Sequence, residues 1–297
     1  MSDATTEQPK RKKVTIPKLY EKKKNHEPIV MCGINDYPTA RAADLVGGLD
    51  IASVGDSGAM VHFGRDTTID VPFVEELIMV QAVRRGTKYA MVLADMPYMT
   101  YQVSKEEAIR NAGRFVAEGG AEVMKCEGDR YTAENIAAIV RAGIPVMGHI
   151  GMTPMTASKF GGFLPQGITA KRALELVDDA RAMEDAGCFA LLLEWCAAEL
   201  GAYLSKTLSI PVISLGAGPY CDGVHVIGGD LFWMYDKFVP QHSKIYVNIR
   251  EIYQRVYRDY INDVTERRYP EPQHWVNMSD EERLAFERAL KTELEMP

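Results

Sequence analysis

Seven residues able to carry chemistry follow short apolar runs: Asp56 and Ser57, Asp95, Lys125 and Glu127, His149, and Glu194. Asp56, Asp95 and Glu127 end three consecutive runs. Oxygen ligands without nearby thiolates or paired histidines suit a hard cation, Mg2+ or Mn2+, better than zinc. A single such Asp is equally a helix cap, but three together favour a metal site. Glu194 closes Leu191-Leu192-Leu193 and precedes Trp195, surroundings that desolvate a carboxyl and raise its pKa toward the range of a general base. Lys125 offers a point charge for a substrate carboxylate, and His149 a hydrogen bond to a carbonyl or carboxylate. A strand-end Glu, a surface Lys and a structural His are the plainer alternatives. A cation and a base together suit a 2-oxo acid: the metal takes the carboxylate and keto oxygens and stabilises the charge of enolisation, while the base removes the proton on carbon 3. The enolate then attacks a one-carbon electrophile; in reverse, the same apparatus cleaves the bond.

Such distant residues meet only if the elements that carry them converge. Apolar runs at 29–34, 50–54, 89–94, 122–126, 145–148, 188–193, 211–215 and 225–228 predict eight strands, the last of them weak. Helical periodicity occupies 74–85, 105–118, 132–142 and 171–186 between them. This alternation predicts a single-domain (β/α)8 TIM barrel, an α/β fold in which the carboxyl ends of the strands share one mouth. A doubly wound open sheet makes the same alternation, but no G-x-G-x-x-G follows the first strand, and Gly216-Ala217-Gly218 lacks the third glycine.

The 297 residues, 46% of them apolar, suffice for one such barrel. Residues 1–27 are expected to be a disordered basic tail whose KRKK and EKKK runs are solvated, 28–268 the catalytic barrel, and 269–297 a C-terminal extension. That extension holds an amphipathic helix with Ser279 and Glu282 as a capping box before Phe286, Leu290 and Leu294, expected to dock on the barrel or on a neighbouring subunit. A net charge of −7 favours neither nucleic acid nor an anionic membrane, and the expected partner is a small molecule. Five scattered cysteines without a C-x-x-C pair, no apolar leader and no membrane-length run predict a reduced, cytoplasmic protein.

Motifs along the chain resemble ketopantoate hydroxymethyltransferases. They are VGDS at 54–57, AVRRG at 82–86, LADMPYM at 93–99, VMKCEG at 123–128, GHIGMTP at 148–154, FGGFLPQG at 160–167, LLLEW at 191–195 and IPVISLGAGPYCDG at 210–223. The resemblance implies a metal site at Asp56, Asp95 and Glu127, 2-oxo acid contacts at Asp56, Ser57, Asp95 and Lys125, and a proton acceptor at Glu194. It further implies Mg2+, 5,10-methylenetetrahydrofolate as one-carbon donor, and a cytoplasmic homo-oligomer, often a decamer. Several segments depart from the family's pattern. Its T-A-Y-D is Gly33-Ile34-Asn35-Asp36, its S-L-G-M is Ser57-Gly58-Ala59-Met60, and a common His is Met79. The Lys of G-G-Y-K-V-Q-G is Leu164, the second Gly after the metal Glu is Asp129, and the seventh-strand neighbourhood continues as HVIGGDLFWMYDKF instead of V-L-V-x-H-D. The expected activity is a metal-dependent hydroxymethyltransferase acting on 3-methyl-2-oxobutanoate or a relative. The alternatives are a carbon–carbon lyase or aldolase of the phosphoenolpyruvate mutase and isocitrate lyase superfamily, and a silent binding paralogue, which the four retained acids disfavour.

Overall fold

The computed structural model describes residues 11–294, in which eight parallel strands close in chain order into a barrel. The strands are β1 (Ile29–Gly33), β2 (Ile51–Val54), β3 (Met91–Asp95), β4 (Val123–Glu127), β5 (Val146–Gly151), β6 (Ala190–Glu194), β7 (Val212–Leu215) and β8 (Gly223–Ile227). Every residue of β2 to β7 is buried, as parallel strands covered on both faces must be, which is why they read as unbroken apolar runs. One face fills the barrel with side chains such as Met31, Leu93, Met147 and Leu192. The other packs Val54, Val92, Met124 and Leu193 in a separate outer cluster that also holds helix residues such as Val80 and Ile139.

After α1 (Ile16–Lys24), helices follow the strands in turn. They are α2 (Tyr37–Val46), α3 (Asp56–Phe63) with α4 (Phe73–Gly86), α5 (Lys105–Arg114), α6 (Ala133–Arg141), α7 (Ala170–Asp185) and α8 (Ala198–Thr207). Local chemistry starts several of them: Asp36, Ser104 and Thr169 accept the amide protons of Thr39, Glu107 and Arg172. The expected segment 105–118 is helical to Arg114 and then widens into a π-turn over Phe115–Gly119. The alternation lapses near its end. β7 joins β8 through 216–222 without a helix, because Gly216, Gly218 and Pro219 make a turn too short for one, and β8 is followed only by the four-residue α9 (Gly228–Leu231).

Part of the segment expected to be a disordered tail is ordered. Residues 1–10 lie outside the described residues, but α1 buries Leu19 completely against the barrel filling, worth about 1.5–3 kcal/mol. Nor are the basic runs wholly solvated. Lys13, Lys22 and Lys23 pair with Glu122, Asp50 and Asp222 at 2.5, 2.5 and 2.7 Å, acids that stand just ahead of β4, β2 and β8. Local composition, rich in Lys, concealed an apolar contact that a single leucine decides.

The barrel body ends at Val247, earlier than the expected boundary at 268, and a second compact unit starts at Asn248. It contains α10 (Ile249–Thr265), with Tyr253, Val256, Tyr260 and Val264 at helical spacing, and α11 (Asp280–Leu294). Helical period in α10 reads the same in either unit, so the boundary was not legible. At the start of α11 the Ser279 hydroxyl accepts the Glu282 amide proton at 3.2 Å, the forward half of the expected capping box.

Candidate active site

Strand register alone brings the chemical residues to one level: Asp95 is paired with Lys125, Glu127 with His149, and Gly151 with Glu194. Asp56 opens α3 directly after β2, and Ser57 follows it. All seven line one cavity of about 410 Å3 at the carboxyl ends of the strands. All but Ser57 are buried.

Their contacts form a row. The Lys125 ammonium stands 2.8 Å from Asp95 Oδ2 and 3.3 Å from His149 Nδ1, and His149 Nε2 lies 3.0 Å from Glu194 Oε2. An ammonium only donates, so His149 Nδ1 accepts and the ring proton resides on Nε2, facing Glu194. The last contact is close but out of line for a strong hydrogen bond. Burial, then the charge of Lys125, holds His149 well below its ordinary pKa, so it is neutral. Burial works against Lys125 too, but Asp95, Asp56 and Glu127 together raise its pKa and keep it charged.

The acids outnumber their cation, and each is pushed upward. Burial raises Glu194 to about 8, with Asp56 and Asp95 adding to it and Lys125 opposing. Burial and then Asp95 raise Asp56 to about 7; burial also raises Asp95 and Glu127. Trp195, immediately after Glu194, takes a φ of +44°, a conformation uncommon for a bulky residue, and its ring lies 5.9 Å from that of His242. His242 in turn sits where a Cβ on Gly216 (φ +74°) would lie 2.6 Å from its ring, so a glycine is needed there.

Among the described residues no three of His, Cys, Asp and Glu already stand in metal-holding geometry. Two oxygens nevertheless suit a cation: Asp56 Oδ2 and Asp95 Oδ1 are buried without hydrogen-bond partners among the described residues. Glu127 differs from its neighbours, since its carboxylate accepts the Met155 amide proton at 3.1 Å. The donor set fits Mg2+ held by two carboxylates, with water and ligand oxygens completing its shell, the habit of that ion.

Residues the sequence did not single out also belong here. His225, Asp230, Tyr235 and His242 line the cavity, and Glu76 of α4 is fully buried, with neither carboxylate oxygen partnered among the described residues. Burial, then Asp95 and Asp56, raises Glu76 well above the usual carboxylate range. Inward alternation along β8 was the available signal for His225; none marked Glu76. Two departures from the family pattern meet here. The Asn35 side chain, which accepts the Gly55 amide proton at 3.1 Å, lies where a Cβ at position 58 would overlap it, so Asn35 in this position is compatible only with a glycine at 58.

A closed (β/α)8 barrel with buried acids, a lysine and a histidine around the mouth at the carboxyl ends of its strands has the architecture of a barrel enzyme. The chain belongs to the ketopantoate hydroxymethyltransferase family, whose model matches residues 13–272. Among its relatives, the 3-methyl-2-oxobutanoate hydroxymethyltransferase of Dehalococcoides mccartyi strain 195 is 44% identical over 87% of this chain and 91% of its own length. That of Carboxydothermus hydrogenoformans is 42% identical over 91% and 97%. Among solved structures, phosphonopyruvate hydrolase in complex with oxalate and Mg2+ shares the barrel at a TM-score of 0.58 and 13% identity, covering 94% of this chain and 97% of its own. 2,3-Dimethylmalate lyase, a member of the phosphoenolpyruvate mutase and isocitrate lyase superfamily, shares it at 0.53 and 15% over 94% and 98%.

Proposed function

We propose that this chain is a Mg2+-dependent hydroxymethyltransferase that enolises 3-methyl-2-oxobutanoate, or a close relative, and transfers a one-carbon unit from 5,10-methylenetetrahydrofolate to give 2-dehydropantoate or its analogue. The observation that carries this reading is the row Asp95–Lys125–His149–Glu194 along one cavity wall, which sets a cationic group and a base a few ångströms apart. Asp56 and Asp95 would hold the cation, which supplies the positive charge that an enolate requires. Lys125 places a fixed charge for the substrate carboxylate, and Ser57 offers a hydroxyl at the rim. Glu194 takes the carbon-3 proton, and the neutral His149 N–H beside it stabilises the carboxylate before transfer. Burial keeps the Glu194 pKa high enough to make it an effective base near neutral pH. Glu127, bonded to the Met155 amide, positions the loop after β5 and would add a third carboxylate near the cation.

Several supports are independent of the acids. The 42–44% identical relatives carry the transferase name, and among the described residues no helix is long and apolar enough to cross a membrane. We place the protein in the cytoplasm as a homo-oligomer, a decamer by resemblance; light scattering tests this, and a persistent 33.1 kDa species would refute it.

The deciding experiment is carbon-3 proton exchange of 3-methyl-2-oxobutanoate in heavy water with Mg2+ and no folate. Wild type should exchange, and Glu194→Gln should lose the exchange by about 10²–10⁴-fold while still binding Mg2+. Adding the folate should then give the hydroxymethylated acid. Exchange without product would redirect the proposal to a lyase; a Glu194→Gln protein as fast as wild type would end it.

A further inference from the structure

The reaction proposed above, on which this inference rests, ends with a hydroxyl on the transferred carbon. In 5,10-methylenetetrahydrofolate that carbon is bonded to two nitrogens and to no oxygen, so the hydroxyl oxygen comes from water. As water adds to the carbon it gives up a proton. Glu194 is not free to take it, because it already holds the proton of carbon 3. The transfer half of the reaction therefore needs a second base.

Most basic groups of the cavity are already engaged. The Asp230 carboxylate accepts the Ser243 hydroxyl at 2.6 Å, Glu127 accepts the Met155 amide proton, and His149 Nδ1 accepts from Lys125. Asp56 and Asp95 serve the cation, and His225 Nδ1 is buried. His242 differs from all of these. It closes the run Phe238 to His242, which follows β8 and lines the cavity at the carboxyl ends of the strands, and it is only partly buried. A Cβ on Gly216 would lie 3.0 Å from its Nδ1, so that edge of the ring packs against the turn after β7, and Nδ1 is buried with no partner among the described residues. The Nε2 edge is the one left turned to open space. Burial lowers the His242 pKa, so the imidazole is neutral near pH 7 and can present a lone pair at Nε2. The Trp195 ring, its centroid 5.9 Å away, is within reach to stabilise the positive charge that the imidazole gains with a proton.

We propose that His242 is the catalytic base of the transfer half-reaction, its Nε2 taking a proton from the water that hydrates the methylene carbon of the donor. The water oxygen bonds to that carbon, and one carbon–nitrogen bond breaks with its electron pair going to nitrogen, which then receives the proton from His242. When the second carbon–nitrogen bond breaks, its nitrogen takes the hydroxyl proton, leaving formaldehyde beside the enolate. Carbon 3 bonds to the formaldehyde carbon, and Glu194 returns its proton to the oxygen. Two bases thus divide the work, one for each substrate.

The test separates the two halves. With Mg2+ and no folate, His242→Gln should exchange carbon 3 of 3-methyl-2-oxobutanoate in heavy water within about twofold of the wild-type rate. With 5,10-methylenetetrahydrofolate its kcat should fall by about 10²-fold while KM for the folate changes little. Formaldehyde brings its own oxygen, so with formaldehyde as donor the variant should form product as fast as wild type. His242→Ala leaves a gap in the strap, and added imidazole should restore its folate reaction. Equal losses with both donors, an undiminished folate reaction, or no rescue of a folded Ala variant by imidazole each overturn the assignment. A wild type that exchanges carbon 3 yet makes no product from the folate would defeat the transfer reading and this inference together, a result distinct from the variant outcomes.

Discussion

Where the strands begin, charges come in matched pairs: Lys22 with Asp50, Lys23 with Asp222 and Lys13 with Glu122, around a leucine that is fully buried. Where the strands end, Asp56, Asp95, Glu127 and Glu194 share one lysine, and two of their buried oxygens have no partner among the described residues. The same residue types thus do opposite work. Matched pairs and an apolar plug close the first end and add stability, whereas unmatched acids at the second end raise one another's pKa and cost stability in the unliganded protein. Such an imbalance persists because a ligand or cation can relieve it.

Asp95→Asn attacks the second end and should have the largest effect among the changes that break this comparison. It removes one of the two carboxylates that keep an unpartnered oxygen among the described residues and should lower Mg2+ affinity and exchange by about 10²-fold, while the melting temperature falls only modestly, since relief of repulsion among the acids offsets part of the lost pairing with Lys125. Metal titration and thermal melts read both quantities, and a protein that unfolds would place Asp95 on the stabilising side of the comparison. Leu19→Ala should do the reverse at the first end. It opens a cavity beneath the barrel, costs about 2–5 kcal/mol in urea denaturation, and leaves kcat of the folded fraction intact. Unchanged stability would show that α1 contributes nothing to closing the barrel.

The smallest effect expected is on pH. Glu194 must lose its proton to act, so with Mg2+ bound, exchange should rise roughly tenfold per pH unit up to at most about 8 and then level. Mg2+ should move that limb to lower pH. The same shift has the opposite sign for folding: the native state holds a proton that the unfolded chain releases above the ordinary carboxylate range, so stability falls as pH rises toward 8. A flat exchange profile from pH 5 to 9 with Mg2+ bound would contradict the burial of the base.

Much of the barrel was legible from the chain. β2 to β7 are buried on both faces, so each announces itself as an apolar run, and in a parallel barrel the residue that ends a run must face the common mouth. That rule alone sufficed to select Asp56, Asp95, Lys125, Glu127, His149 and Glu194, all of which line the cavity. The missing helix after β7, the unit boundary at 247 and the burial of α1 were not legible, because each depends on what covers an element and not on its own period.

Residue types and spacing therefore determined the fold, the end of the barrel that carries chemistry and the groups present there. Tertiary structure alone decided how those groups are paired. It turned the Glu127 oxygens to the Met155 amide and set His149 between Lys125 and Glu194. It also left Asp56 Oδ2, Asp95 Oδ1 and His225 Nδ1 without partners among the described residues, and it set the Asn35 side chain where only a glycine at 58 leaves room for it. The physical reason is one of distance. Hydrogen bonds and charge coupling act over a few ångströms between atoms tens of residues apart in sequence, and only the closed barrel sets those separations.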